Sequence, residues 1–221
     1  MRLAILLSGR GSNFQAIHEA IAGGALDARI VTVISNRPDA PGIDRAREYG
    51  YDAHVLDHRK FANRAAHEAE VLRLLDEPKP DFVVLAGYMR LLSAAFVERW
   101  RDRILNIHPS LLPAFPGVDA QAQAVAYGVK VSGCTVHFVD EHLDAGPIIV
   151  QRTVEVREDD DASTLAARIL EQEHAAYVEA LGKLGRGYRI EGRRVIFDDG
   201  LRGQGSGLHR PVNDDSQTPD P

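Results

Sequence analysis

Residues 3–7 (Leu-Ala-Ile-Leu-Leu) form an unbroken apolar run, the pattern of a strand covered on both faces. Phe14, Ile17 and Ile21 then recur at helical spacing, and Gly23-Gly24 closes that segment. The alternation continues with a strand over 30–34, a short helix over 43–49 stopped by Gly50, and a weaker strand over 53–56. Ala65, Ala69, Leu72 and Leu75 mark a helix over 63–76, and a strand follows at 82–85. Ser93 is placed to cap the next helix, which runs through Phe96, Val97 and Trp100. Strands separated by helical crossovers pair in parallel, with helices on both faces of the sheet.

Past a strand at 104–107 the rhythm changes. Residues 119–127 read as a helix, and 135–139 and 148–156 as strands. The loop between those strands is too short for a helical crossover, so they pair antiparallel. Ser163 opens a long helix through Leu165, Ile169, Tyr177 and Leu181. Segments 188–190 and 195–197 form a closing hairpin around Glu191-Gly192. The predicted class is α/β: a Rossmann-like, mostly parallel twisted sheet with helices on both faces and antiparallel strands in the C-terminal half. A single domain is expected over 1–200. Residues 201–221 hold almost nothing to bury and are expected to be a disordered tail.

Composition narrows the partners. The chain of 221 residues has a net charge of −6 and no block of like charges, which argues against a nucleic-acid partner. Its lone cysteine, Cys134, excludes an intrachain disulfide and fits a reducing cytoplasm. Cys134 stands at the start of an apolar strand and reads as a buried thiol rather than a nucleophile. The first apolar run is too short for a signal peptide, and no run approaches a membrane span. The expectation is a cytoplasmic monomer or homodimer acting on small molecules, without nucleic acid or membrane.

Three stretches carry the chemistry. Ser8-Gly9-Arg10-Gly11-Ser12-Asn13 joins the first strand to the first helix, where bare backbone N–H groups and the helix dipole favour an anion. It lacks the third glycine of a dinucleotide fingerprint and the Lys-Ser/Thr of a P-loop. Asn106 and His108 lie two apart, hence on one face of a strand that Pro109 must end. Asp144 follows on a loop closed by Gly146-Pro147. An amide to bind an oxyanion, an imidazole to handle a proton and a carboxylate to hold that imidazole charged suit acyl transfer.

The run Asn106-Ile107-His108-Pro109-Ser110-Leu111-Leu112-Pro113 resembles the signature of the folate-dependent formyltransferases. Gly9-Arg10-Gly11-Ser12-Asn13 and Leu85-Ala86-Gly87-Tyr88-Met89-Arg90 extend the similarity, which covers residues 2 to about 199. Together these runs resemble the branch that acts on phosphoribosylglycinamide in purine biosynthesis. The resemblance implies formyl transfer from 10-formyltetrahydrofolate, as co-substrate, to the amine of that ribonucleotide, with Asn106, His108 and Asp144 catalytic. It implies that Gly11, Ser12 and Asn13 hold the 5′-phosphate and that Glu173 meets the sugar or glycine portion. It makes Arg64, Met89, Arg90, Leu91, Leu92, Asn106, Asp140, Glu141, His142, Leu143 and Asp144 the folate contacts. On pattern alone, Glu173 would be a solvated helix residue, Met89, Leu91 and Leu92 ordinary core, and Arg64 ordinary surface.

Some positions depart from the family. Leu170 stands where a polar neighbour is usual, and Ala114-Phe115 replace a Lys-Tyr, and Asp119 and Gln121 histidines, found in some members. No metal is called for: His18, His54, His58, His67, His137, His142, His174 and His209 show no ligand pattern with cysteine. A formyltetrahydrofolate hydrolase would be expected to carry an added N-terminal domain, and a methionyl-tRNA formyltransferase a basic C-terminal one. A plain folate- or nucleotide-binding module would not require Asn106, His108 and Asp144 together.

Overall fold

β1 (Arg2–Leu7) is buried on both sides: Leu3, Ile5 and Leu7 enter one core while Ala4 and Leu6 enter another. The computed structural model describes residues 1–198; the tail expected over 201–221 and the last two residues of the expected domain lie outside the described residues. The first core receives α1 (Ser12–Ala22), α2 (Pro41–Glu48), α5 (Ala120–Tyr127) and α6 (Ala162–Leu184). The second receives α3 (Arg64–Asp76) and α4 (Ala94–Arg99), through Val71, Leu75, Phe96 and Val97. Helices therefore cover both faces, as the alternating pattern requires.

The remaining strands are β2 (Arg29–Ser35), β3 (Ala53–Val55), β4 (Phe82–Leu85), β5 (Ile104–His108), β6 (Val131–Phe138), β7 (Ile148–Glu155), β8 (Tyr188–Glu191) and β9 (Arg194–Phe197). They form one sheet in the order β3-β2-β1-β4-β5-β6-β7-β9-β8. The first five strands run parallel, β6 is antiparallel to both β5 and β7, and β8 with β9 closes as a hairpin. Reversal of chain order at β1/β4 opens a crevice at the carboxyl ends of the strands, where such sheets bind ligands.

Local chemistry explains the helix starts. Asn63, Ser93 and Asp161 each accept a backbone N–H with the side chain, and Asp161 completes a capping box with Thr164. One boundary differs from the pattern. β6 begins at Val131, so Cys134 sits in mid-strand rather than at its start, fully buried, with burial pushing its thiol up to about 12. Ser132-Gly133 lies before the strand expected over 135–139. In the sheet, Gly133 lets Arg152 of β7 approach: an added Cβ would lie 1.9 Å from the Arg152 carbonyl oxygen. Among the described residues no helix is long and apolar enough to cross a membrane.

Candidate active site

Three strand ends and one loop build the site. β1 delivers the glycine loop, where Gly11 adopts φ 71° and an added Cβ would come within 3.0 Å of the Gly42 Cα. The first helical bond of α1 runs from Gln15 N to Gly11 O at 2.9 Å. The N–H groups of Ser12, Asn13 and Phe14 therefore have no acceptor within the helix, and the positive end of its dipole stands beside them.

Asn13 is buried, and its Nδ2 donates to Glu173 Oε2 at 2.8 Å across 160 residues of sequence. Glu173, on α6, is only 8% exposed, so the structure overturns the reading of a solvated mid-helix residue and joins it to the glycine loop. Burial pushes its carboxyl above the usual value, and the bond from Asn13 works the other way. A carboxyl raised on folding contributes stability below its unfolded value, near 4.5, that is lost as pH climbs through the folded value. Glu173→Gln should therefore melt above the parent chain at pH 8, with the gap closing toward pH ~4.5 in a thermal-melt series.

β4 delivers the second segment. Gly87 turns the chain at φ 75°, Tyr88 is buried, and Met89 and Leu91 are 79% and 62% exposed. An ordinary core role is excluded for both; Leu92 packs partly against the second core and Arg90 is half-buried. Arg64 is exposed at the first position of α3, and no hydrogen bond joins it to the other candidate residues among those described. Leu170 is half-buried on α6, one turn before Glu173.

β5 and the loop after β6 supply the candidate reacting groups. β5 ends at His108, before Pro109, with Asn106 and His108 on one face. His108 Nδ1 lies 3.3 Å from Asp144 Oδ2, with side-chain exposures of 5% and 9%. His108 Nε2 donates to the Phe115 carbonyl at 2.8 Å. Both ring nitrogens thus face groups that only accept, an arrangement the imidazolium satisfies in full. Gly117 N donates to the same Asp144 oxygen, Oδ2, at 2.8 Å and helps fix the carboxylate. Phe115 and Asp144 both hold non-glycine backbone in the left-handed region, at φ 53° and 49°. Such positions cost on the order of 1–3 kcal/mol and collect at functional sites.

A fourth group, His137, was passed over in the sequence among histidines without a ligand pattern. β6 pairs His137 directly opposite Asn106, whose Nδ2 donates to His137 Nε2 at 3.3 Å. His137 Nδ1 donates to its neighbour's carbonyl, Phe138 O, at 2.8 Å, and burial pushes the ring below the usual imidazole value. His137 is thus a neutral acceptor that orients the Asn106 amide, with Asp144 Oδ1 3.9 Å away. The signal that finds it is cross-strand register, invisible until β5 and β6 are aligned. Asp140 accepts from His142 N at 2.9 Å, and Glu141, His142 and Leu143 are exposed around this turn. The Phe115 contact uses the main chain, so Phe in place of Tyr leaves it intact.

Residues 1–181 match the family model described as "Formyl transferase". The chain belongs to the formyl transferase family. It is 44% identical to the phosphoribosylglycinamide formyltransferase of Escherichia coli over 80% of this chain and 84% of that protein. It is 48% identical to the trifunctional purine biosynthetic protein adenosine-3 of Drosophila melanogaster over 84% of this chain, and spans 14% of that relative's length. Among solved structures, glycinamide ribonucleotide transformylase 1 from Symbiobacterium toebii superposes with a TM-score of 0.87 at 48% identity. That match covers 90% of this formyl transferase and 94% of the solved chain.

Proposed function

We propose that this formyl transferase moves the formyl group of 10-formyltetrahydrofolate to the amine of N1-(5-phospho-D-ribosyl)glycinamide. The products are the N2-formyl ribonucleotide and tetrahydrofolate, a step of de novo purine (IMP) biosynthesis in the cytoplasm. The observation that carries the reading is the convergence of Asn106, His108 and Asp144 at the end of β5, in one row of strand ends with an anion-ready helix start after β1 and an exposed aliphatic edge after β4.

Each part has a role. The N–H groups at Gly11, Ser12 and Asn13 hold the 5′-phosphate, and Glu173 accepts from the glycinamide or ribose portion. Met89, Leu91 and Leu92 pack on the flat pterin, backbone groups of 89–92 and 140–144 pair with its donor and acceptor edge, and Arg64 and Arg90 meet the glutamyl carboxylates. The substrate amine attacks the formyl carbon and a tetrahedral oxyanion forms. The Asn106 amide, oriented by His137, and a protonated His108 donate to that oxygen. As the C–N bond to folate N10 breaks, the proton lost by the attacking amine must reach that nitrogen, and His108 is the relay. Since Phe115 O now takes the His108 Nε2 proton, the incoming oxygen has to replace that carbonyl as acceptor.

The test supplies 10-formyltetrahydrofolate with glycinamide ribonucleotide, its riboside or water, and follows folate absorbance. Two charge-assisted bonds to the phosphate at about 1.5 kcal/mol each set a loss of kcat/KM on the order of a hundredfold for the riboside. Comparable turnover of the riboside removes the anion site, and equal turnover with water alone makes the chain a hydrolase.

A further inference from the structure

We infer that Ser8 is a positioning residue that sets the register between the phosphate loop and the folate edge; the inference rests on the folate reading of 89–92. Ser8 follows β1 directly, so its neighbours in the sheet are the ends of β2 and β4. Its hydroxyl donates to Asn36 Oδ1 at 2.5 Å, one residue past β2. The same oxygen accepts the Met89 N–H at 2.8 Å, and Ser8 N donates to Gly87 O at 3.1 Å. A hydroxyl has one proton to give and lone pairs to receive, and here both capacities are used. Ser8 is 5% exposed and Asn36 2%, so water does not compete for these bonds.

The folate edge is pinned at its other end as well. Ser93 N donates to Glu68 Oε1 at 2.9 Å, and the Ser93 hydroxyl donates to the other oxygen of that buried carboxylate. Between the anchors, Met89 and Leu91 project outward without packing of their own. Besides those anchors the segment is held by Leu92, which packs partly against the second core. Because Gly9 continues straight from Ser8 into the loop around the helix start, one side chain ties both substrate sites to the same strand end. A nucleophile held at one site and a formyl carbon held at the other need this registration, since small misplacements of reacting atoms carry large rate penalties.

The experiment compares Ser8→Ala, Asn36→Ala and Leu91→Ala in the full chain, using steady-state kinetics, thermal melts and amide hydrogen exchange. Ser8→Ala should raise folate KM about tenfold and lower kcat several-fold, with acceptor KM within about twofold. Exchange at the Met89 amide should accelerate while the β1 core amides keep their protection. Asn36→Ala, which frees the Ser8 hydroxyl proton and the long Nδ2 contact to His58 but leaves the Ser8 oxygen to accept from Met89 N, should move the same readings less. Leu91→Ala, which removes contact without moving an anchor, should raise folate KM with a smaller fall in kcat than Ser8→Ala. A raised folate KM in Leu91→Ala with none in Ser8→Ala overturns the role of Ser8. An unchanged folate KM in Leu91→Ala overturns the folate reading of the edge, and this inference with it. A uniform loss of protection and active fraction, with both KM values intact, reduces Ser8 to a structural residue and equally overturns the proposal.

Discussion

Asp144→Asn should lower kcat on the order of a hundredfold or more while the acceptor KM changes by less than about threefold. Asparagine keeps the size of the carboxylate and one oxygen to accept the Gly117 N–H, so the loop can hold its place. What it deletes is the charge 3.3 Å from His108 Nδ1. At 9% side-chain exposure that charge is poorly screened, and the proposed mechanism uses it as the counter-ion of a proton carried on the ring. The proposed phosphate site, at the end of β1 where Asn13 bonds Glu173 of α6, belongs to other elements, which is why acceptor KM should be spared. His108→Ala should be similarly impaired, and the double variant little worse than the worse single one, because two groups that act as a unit do not add. Rate losses that multiply fully in the double variant would show that Asp144 acts independently of His108.

How much of this was legible beforehand follows from which forces act locally. Every strand and α-helix was readable from period and punctuation, since Ser93 and Asn63 cap from the side chain and Gly50 and Pro109 stop the chain by backbone geometry alone. The start of β6 was not, because Ser132-Gly133 is poor strand sequence that only the close approach of Arg152 on β7 makes sense of. Asn106 and His108 were readable as a pair through the two-residue period of a strand. His137 was not, for its role depends on which residue of β6 lies opposite Asn106. Glu173 shows the same limit: helical pattern gives it to solvent, and only the packing of α6 beside α1 buries it against Asn13. Exposure of Met89 and Leu91 likewise belongs to the fold, where Leu-rich sequence alone suggests core. Tertiary pairing, not local preference, decided each of these.

Gly146→Ala should abolish most activity without touching a reacting group, and should also lower stability. A Cβ at this position would lie 1.9 Å from the Phe138 carbonyl oxygen and 2.8 Å from its carbon. Those are backbone atoms of β6, so no flexible side chain can yield. The loop from 139 to 147 returns tightly onto the strand it left, with Phe138 N donating to Pro147 O at 2.9 Å. Relief of the overlap therefore requires the loop to lift, and Asp144 is two residues upstream of the contact. A displacement of about 1 Å in a catalytic group costs on the order of a hundredfold in rate. Asp144 already sits in the left-handed region at φ 49°, so its position is held by the loop rather than by its own preference. Overpacking of this kind typically costs about 1–3 kcal/mol, which a chemical melt would register as a lower midpoint at unchanged slope. The kinetic signature should be a fall in kcat like that of Asp144→Asn, together with a raised folate KM, because the same loop carries the contacts expected at Asp140 to Asp144. If Gly146→Ala keeps wild-type kcat and folate KM, close seating of the loop on β6 is not what aims Asp144 at His108.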